Sequence, residues 1–197
     1  MYTPWPDKSN KYALRGQLMD LSGDFVFYAP SHQSADIHSS VAPVYILEFA
    51  HRSKTFTKLP KWMGVVHGAN RHYDFGIPLI PPFSSRYDAD DKNVSLFIMA
   101  LYTNFAKFGD PTPQPVSGVM WKRYNSSYRA YLRAESKPKM AASFAPRRMA
   151  FWNDYYPKLE QVKFDTKEYV ASGTGKNVCS TTFFLTALSF GIFRTLK

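Results

Sequence analysis

Apolar residues recur every three or four positions in three stretches of this chain, which predicts three amphipathic helices. The clearest stretch runs from Val94 to Phe108. Three aspartates precede it, where the N-terminus of a helix favours negative charge, and Gly109 follows it, where a helix can end. The sequence therefore predicts one long helix, and the polar segment 51–60 well ahead of it is predicted to be a loop.

The other two helical patterns lie nearer the ends of the chain. One covers residues 12–21; we expect Gly23 to end this helix and Asp24 to act as the N-cap of a second helix over about 25–39, bent at Pro30. The last helix should start at Pro146, since proline suits the first helical turn. Its apolar face would be formed by Met149, Trp152, Tyr156 and Leu159.

Strand signals are few. The continuous apolar run at residues 44–49 predicts a strand buried on both faces of a mostly parallel sheet, and residues 124–132 predict a short edge strand. A doubly wound sheet needs more strands than this. We therefore expect residues 1–160 to be one portion of a larger α/β domain, followed by a linker over 161–180 and a short apolar tail over 181–197.

Composition narrows the function only slightly. The chain has 197 residues and a formal net charge of +10, but its basic residues are scattered and no zinc-ligand spacing or RNA-binding aromatic motif accompanies them, which argues against nucleic acid as the partner. Its single cysteine, Cys179, cannot form an internal disulfide. The first residues lack the charged and apolar regions of a signal peptide. The apolar run at residues 183–193 is too short to cross a bilayer as a helix, which leaves a clipped membrane helix, a weak lipid-anchor signal or an altered C-terminus open; the closing basic residues argue against the lipid anchor.

His67 is the candidate catalytic residue. It lies between Gly64 and Gly68, which allow tight turns on both sides, and an imidazole on such a loop can act as a general base. A purely structural loop histidine is the alternative. The remaining histidines share no metal-ligand spacing, so we expect surface or loop positions for them, and we expect no metal and no cofactor. These residues are His32, His38, His51 and His72.

Two tripeptides match the Asn-x-Ser pattern for N-linked glycosylation, at Asn93 and at Asn125. Such matches are common by chance. They matter only if the chain enters the secretory pathway, so both asparagines are candidate modification sites whose relevance depends on where the protein resides.

Several motifs in order along the chain resemble the cholinesterases and type-B carboxylesterases. The block WMGVVHG followed by FGIPL is similar to the catalytic-histidine segment of that family. Within the family, the opening residues MYTPWPDK and the later ADIH most resemble the neuroligin and gliotactin branch, the cholinesterase-like adhesion molecules. The motifs lie at residues 1–8, 35–38, 62–68, 75–79, 102–111, 150–152 and 157–159.

The resemblance implies the C-terminal third of an α/β-hydrolase fold, as a partial sheet with several packing helices. His67 matches the triad histidine, but no G-x-S-x-G occurs in the chain and the family's acid would lie upstream of Met1. After His67 the enzymes usually carry acidic residues, whereas this chain has Ala69, Asn70, Arg71 and His72. The resemblance therefore implies a vestigial histidine.

Two further family features are altered. The resemblance implies that Asp24 pairs with an arginine before the last helix, but the matching position is Ala145; Arg147 or Arg148 could replace it, or the pair could be lost. The family's loop-closing cysteines match Ala29 and Met149, so that disulfide is absent.

Three functional hypotheses remain open from the sequence. The first is a truncated, non-catalytic cell-surface adhesion protein of the neuroligin type, with a cell-surface partner such as a neurexin-like ligand and a homodimer formed through the helix at about 146–160. The second is a fragment of a carboxylic-ester hydrolase in which His67 is the general base and the nucleophile is supplied upstream. The third is a non-functional remnant, since a parallel sheet cut open exposes an apolar strand edge.

Overall fold

The computed structural model describes residues 1–55 and 57–162 and divides them into two compact units. We call residues 34–144 the sheet unit, and residues 1–33 with 145–162 the terminal unit. The predicted linker, apart from its first two residues, and the predicted apolar tail with Cys179 lie outside the described residues.

A mixed sheet of three strands, in the order β1-β2-β3, forms the centre of the sheet unit. The strands are β1 (Leu47–Phe49), β2 (Ala130–Ala134) and β3 (Lys139–Ala142). Strands β1 and β2 are parallel, with Leu47 opposite Leu132, and β2 and β3 are antiparallel. The predicted buried strand at 44–49 is confirmed in position and in its parallel pairing, although only its last residues form ladder pairs.

The prediction of an edge strand over 124–132 is wrong in two respects. Strand β2 begins only at Ala130, because residues 125–128 form a turn, and it lies in the middle of the sheet rather than at its edge. Strand β3 covers its other edge and was not predicted, since its short, partly exposed sequence lacks an apolar alternation.

The long helix α4 (Ala89–Phe108) packs against this sheet and confirms the clearest sequence pattern. It begins with a capping box between Asp88 and Asp91 and ends at Gly109, whose φ of +68° a residue without Cβ adopts at no steric cost. The apolar face of α4 and the strands enclose one buried cluster. Its members are Tyr45, Leu47, Tyr73, Val94, Phe97, Ile98, Leu101, Phe105, Trp121, Leu132 and Ala134.

Short elements connect β1 to α4. They are the 3₁₀ turns Lys61–Met63, Ile77–Leu79 and Phe83–Arg86 and the single-turn helix α3 (Arg71–Asp74). The serine Ser95 on α4 anchors α3, because its hydroxyl donates to the backbone oxygen of Tyr73 at 2.8 Å. The segment that carries His67 is thereby attached to the core just downstream of that histidine.

The first helical region is continuous, which corrects the predicted break at Gly23. Helix α1 (Lys11–Gly23) passes through a π-helical turn, Asp24–Tyr28, into α2 (Ala29–His38). Asp24 is therefore a helical residue with φ −65° and ψ −48°, not an N-cap. Glycine costs only about 1 kcal/mol within a helix, a penalty that tertiary contacts readily offset.

The last helix begins at Pro146, as predicted, with α5 (Pro146–Ala150), a π-helical turn (Phe151–Tyr155) and helical residues 156–162. Met149 is buried at 2% exposure and Leu159 is 40% exposed. The π turn widens the helical spacing, so the apolar positions do not all point inward.

Asp24 is held in the terminal unit by an ion pair with Arg148. The Nε atom of Arg148 lies 2.9 Å from Oδ2 of Asp24, and its Nη1 atom lies 2.7 Å from a carboxylate oxygen of Asp20. The Tyr2 hydroxyl donates to Asp24 at 2.7 Å and accepts from the indole of Trp152 at the same distance. Of the alternatives left open by the sequence, Arg148 therefore replaces the family's arginine.

Burial dominates the protonation of this cluster. It raises the pKa of Asp24, although Tyr2 and Arg148 oppose the shift, and it raises the pKa of Tyr2 to about 12. Removing the guanidinium of Arg148 would therefore leave the Asp24 carboxylate charged and buried without a cation, which would destabilise the folded chain. The two positions that match the family's cysteines, Ala29 and Met149, are both buried in this unit.

We predict that Arg148→Ala destabilises the chain by about 2 kcal/mol, because it leaves a buried carboxylate without its cation. Arg147→Ala is the matched control. Arg147 is the exposed neighbour on the same helix, so its removal should leave the midpoint of urea unfolding nearly unchanged. Urea unfolding followed by circular dichroism measures both. Equal midpoints for the two variants would contradict the assigned role of Arg148.

Candidate functional site

His67 lies on a turn of the sheet unit, between two glycines with positive φ. Gly64 has φ +61° and Gly68 has φ +79°, a region that residues with a Cβ rarely adopt. The His67 side chain is exposed. The predicted backbone geometry, an exposed histidine between two tight turns, is therefore confirmed. The catalytic role of His67 remains a prediction.

A cavity of about 200 Å³ opens beside this turn. Among the described residues, its polar lining consists of imidazole, phenol and hydroxyl groups together with the guanidinium of Arg52, and none of these side chains is a carboxylate. The side chains that give it this character are His51, Ser53, His67, His72, Tyr73 and Tyr87. The structure thus brings His67 and His72 to one cavity with His51, which sequence spacing alone did not indicate.

Arg52 attaches the segment before His67 to the loop that follows β1. Its guanidinium donates to the backbone oxygen of Gly64 and, at 2.6 Å, to that of Leu59. On the opposite side, the Nδ1 atom of His72 lies 2.6 Å from the hydroxyl of Tyr87. Side chains from both flanks therefore hold the cavity rim.

A fully buried carboxylate, Asp91, lies at the centre of the network behind the cavity. One of its oxygens lies 2.7 Å from Nε2 of His51 and accepts from the hydroxyl of Tyr73 at 2.8 Å. The other accepts from the hydroxyl of Ser53 at 2.8 Å and from the backbone N–H of Asp88 at 3.0 Å. Four donors from three segments thus converge on one side chain.

This network favours an ionised Asp91. Burial alone would raise the pKa of the carboxyl, but the hydrogen bonds from His51, Tyr73 and Ser53 outweigh it, and the pKa is lowered. The carboxylate also sits in the first turn of α4, where the helix dipole favours negative charge. The same contact and burial raise the pKa of Tyr73, so its hydroxyl stays a donor.

Asp74 is the single acid in the segment where the family's enzymes usually carry several. It is partly buried at the end of α3 and accepts from the side-chain amide of Asn70 at 2.6 Å. Burial raises its pKa to about 6, against smaller opposing effects from Asn70 and Tyr102. Asp74 is not among the described residues that line the cavity.

The expectation of surface or loop positions for the other histidines is wrong for His32, which lies on helix α2 and is 4% exposed. His51 does lie on a loop, although its side chain is only 7% exposed. The loop prediction for 51–60 holds for the backbone, but its first residues face inward because Asp91 accepts their polar groups. A usable signal existed in the sequence, namely a histidine and a serine two residues apart directly after a buried strand.

Among residues 1–55 and 57–162, no three histidine, cysteine, aspartate or glutamate side chains are grouped so that they could hold a metal ion. Within the same residues, no helix combines the length and the apolar character needed to cross a membrane. The two candidate glycosylation sites, Asn93 on α4 and Asn125 in the turn before β2, are both exposed.

The comparisons with known proteins agree with the motifs around this site. A model of the carboxylesterase family matches residues 1–152, and the chain belongs to that family. Among curated proteins, it is 30% identical to human neuroligin-2 over 179 residues and 32% identical to mouse neuroligin-3 over 176 residues. These matches cover 82% and 81% of this chain but 21% of each relative, so the chain spans about a fifth of their length.

We predict that Asp91→Ala lowers the free energy of unfolding by at least about 3 kcal/mol, because it leaves several buried donors without an acceptor. Asp90→Ala is the control. The side chain of Asp90 is 42% exposed and pairs with the exposed Lys54, so its removal should leave the urea midpoint nearly unchanged. The pKa of Asp91 is lower in the folded chain than in the unfolded chain. The carboxylate therefore contributes to the free energy of unfolding above the unfolded pKa of about 4, and this contribution is lost as the pH falls through the folded pKa.

The measurement is urea unfolding of the unchanged chain and both variants from pH 7 down to pH 3. The difference between the unchanged chain and Asp91→Ala should shrink below about pH 4, where the unfolded carboxyl binds its proton. A difference that stays constant over this range would show that the charge of Asp91 contributes nothing.

Proposed function

We propose that this chain is the C-terminal part of an α/β-hydrolase fold in a non-catalytic, cell-surface adhesion protein of the neuroligin type. The observation that carries the proposal is the cavity beside His67. Among the described residues that line this cavity, Ser53 is the one serine. Its hydroxyl donates a hydrogen bond to the buried Asp91, and its Oγ atom also lies 2.7 Å from Oγ1 of Thr55.

A serine nucleophile must give its proton to the base that activates it. Ser53 instead donates a hydrogen bond to Asp91, a carboxylate whose lowered pKa makes it a weak base, so this contact stabilises the loop and does not activate the hydroxyl. Removing one member of a catalytic triad costs several orders of magnitude in rate, and no G-x-S-x-G supplies another nucleophile in this sequence. His67 is thus a vestigial base in this proposal.

The adhesion part of the proposal rests on the similarity to neuroligins across most of the chain. It implies a location at the cell surface and a protein partner on an apposed cell, with a neurexin-like ligand as the first candidate. The competing function, an ester hydrolase with His67 as general base, is favoured only by the exposed histidine at the rim of the cavity.

The function predicts two results with the purified chain. Hydrolysis of p-nitrophenyl butyrate should stay at the level of a histidine-containing protein without an active site, and His67→Ala should reduce it no more than His72→Ala, the control at the same cavity. Immobilised chain should bind the extracellular domain of a neurexin. A rate that falls at least about tenfold in His67→Ala alone would establish the hydrolase instead.

We further propose that the chain forms a homodimer through the helix at about 146–160. Its support is an exposed apolar stripe at helical spacing. Tyr155 is 55% exposed, Leu159 40% and Val162 60%, and these positions are four and three residues apart on one helical face. A stripe of this kind suits a helix-bundle contact between two copies of the chain, such as the four-helix bundle that the family resemblance implies.

We predict that Leu159→Glu converts the dimer to a monomer, because a charge in the middle of the stripe would be buried without a partner. Lys158→Glu, with a charge change on the adjacent exposed residue, should leave the dimer intact. Sedimentation velocity at several concentrations measures both. A chain that sediments as a monomer before any substitution would refute the dimer, without bearing on the absence of catalysis.

A further inference from the structure

The turn before β2 presents the amide of Asn125 in one defined orientation. The Oδ1 atom of Asn125 accepts the backbone N–H of Ser127 at 3.1 Å and that of Tyr128 at 2.7 Å. Both of these groups are donors, so only the amide oxygen can face them. The Nδ2 atom must therefore point away from the turn.

The turn does not depend on the amide nitrogen for its stability. Besides the two contacts to Oδ1, it is closed by a backbone bond from the N–H of Arg129 to the oxygen of Asn125 at 2.8 Å. Residues 125–128 are all exposed. A group attached to Nδ2 would project into solvent and would leave all three of these hydrogen bonds unchanged.

We propose that Asn125, and not Asn93, carries an N-linked glycan. In this reaction Nδ2 forms a bond to the anomeric carbon of an oligosaccharide, the bond from that carbon to a lipid-linked diphosphate breaks, and the amide loses one proton. The sugar donor is a polyprenyl-diphosphate oligosaccharide, and the enzyme is the membrane-bound transferase that reads Asn-x-Ser. The second hydrogen on Nδ2 remains, so the nitrogen stays a planar amide.

The other match to the pattern has a structural explanation. In Asn93-Val94-Ser95, the serine is fully buried in α4 and its hydroxyl donates to the backbone oxygen of Tyr73. Val94 is likewise a core residue. Two of the three residues are therefore present because the core requires them, and the Asn-x-Ser match at this position needs no modification to account for it.

The surroundings of Asn93 also argue against a glycan there. Asn93 lines a groove of about 420 Å³ between α4 and the residues that follow Val116 and Arg133, including Ser117, Glu135 and Pro138. An oligosaccharide on this side chain would have to occupy or cover that groove. By contrast, Asn125 lines neither of the two cavities described here.

This proposal rests on the proposed cell-surface location, because the transferase acts only in the lumen of the secretory pathway. The test therefore directs the chain into the secretory pathway by an added signal, whatever the natural location of the protein. The full chain is expressed in cultured animal cells behind a cleavable signal peptide, and it carries an appended Asn-Ser-Thr tag that reports entry into the lumen. Glycosidase treatment and peptide mass spectrometry locate each glycan.

We expect one glycan besides that of the tag, and it should be lost in Asn125→Asp and in Ser127→Ala. Asn125→Asp keeps an oxygen that can accept both backbone N–H groups of the turn, and Ser127→Ala keeps the backbone donor of residue 127. Both variants should therefore remove the glycosylation site and leave the turn folded. Ser127→Thr should retain the glycan, and Asn93→Gln should not change it.

A glycosylated tag with an unmodified Asn125 would overturn the proposal, and so would a glycan on Asn93. A glycan at Asn125 in a chain that binds no cell-surface partner would refute the adhesion function and leave this site standing. The two failures are therefore distinguishable.

Discussion

The buried charge of Asp91 is the constraint on which the rest of the sheet unit depends. A carboxylate in an apolar interior is tolerated only where donors surround it. Here the donors come from the loop after β1, from α3 and from the N-cap residue of α4, so these three segments must come together for the charge to be buried at all. The candidate site beside His67 is a by-product of that convergence, since the cavity lies in front of the same groups.

How far the sequence predicts this arrangement differs between its parts. Helix α4 was predictable because its apolar spacing, acidic first turn and terminal glycine all agree, and consistent local signals of this kind mark well-determined elements. Strand β2 was misplaced because the tyrosines before it continue an alternating pattern that the turn at Asn125 interrupts. The break predicted at Gly23 failed because a buried contact between Asp24 and Arg148 outweighs the weak preference of a glycine.

The site itself was only half predictable. The glycines around His67 indicate a presented histidine in any protein, because their conformational freedom is a local property. The Asp91 network is not local: its members lie up to 40 residues apart, and no spacing rule connects His51 to Asp91. The glycine pattern and the resemblance to carboxylesterases both point to the exposed histidine, and neither points to the buried acid behind it.

The family relationship and the proposed function are compatible because a fold and its chemistry can be separated. In the proposed adhesion protein, the groups that hold the cavity rim would persist for packing reasons alone, since Arg52, Tyr73 and Ser53 each satisfy backbone or carboxylate partners. These residues would then be retained even after the protein had lost its catalytic activity, because the fold still needs their hydrogen bonds.

The apolar side chains at Ala29 and Met149 have a consequence for how the terminal unit is stabilised. A covalent link between these positions would close a loop of more than a hundred residues, which is worth about 4 to 5 kcal/mol in chain-entropy terms. This chain contains one cysteine in total, so none of that stabilisation is available to it and thiol reductants have no internal crosslink to break. The contact between Ala29, Met149 and their neighbours in the terminal unit is therefore stabilised by packing rather than by a covalent link.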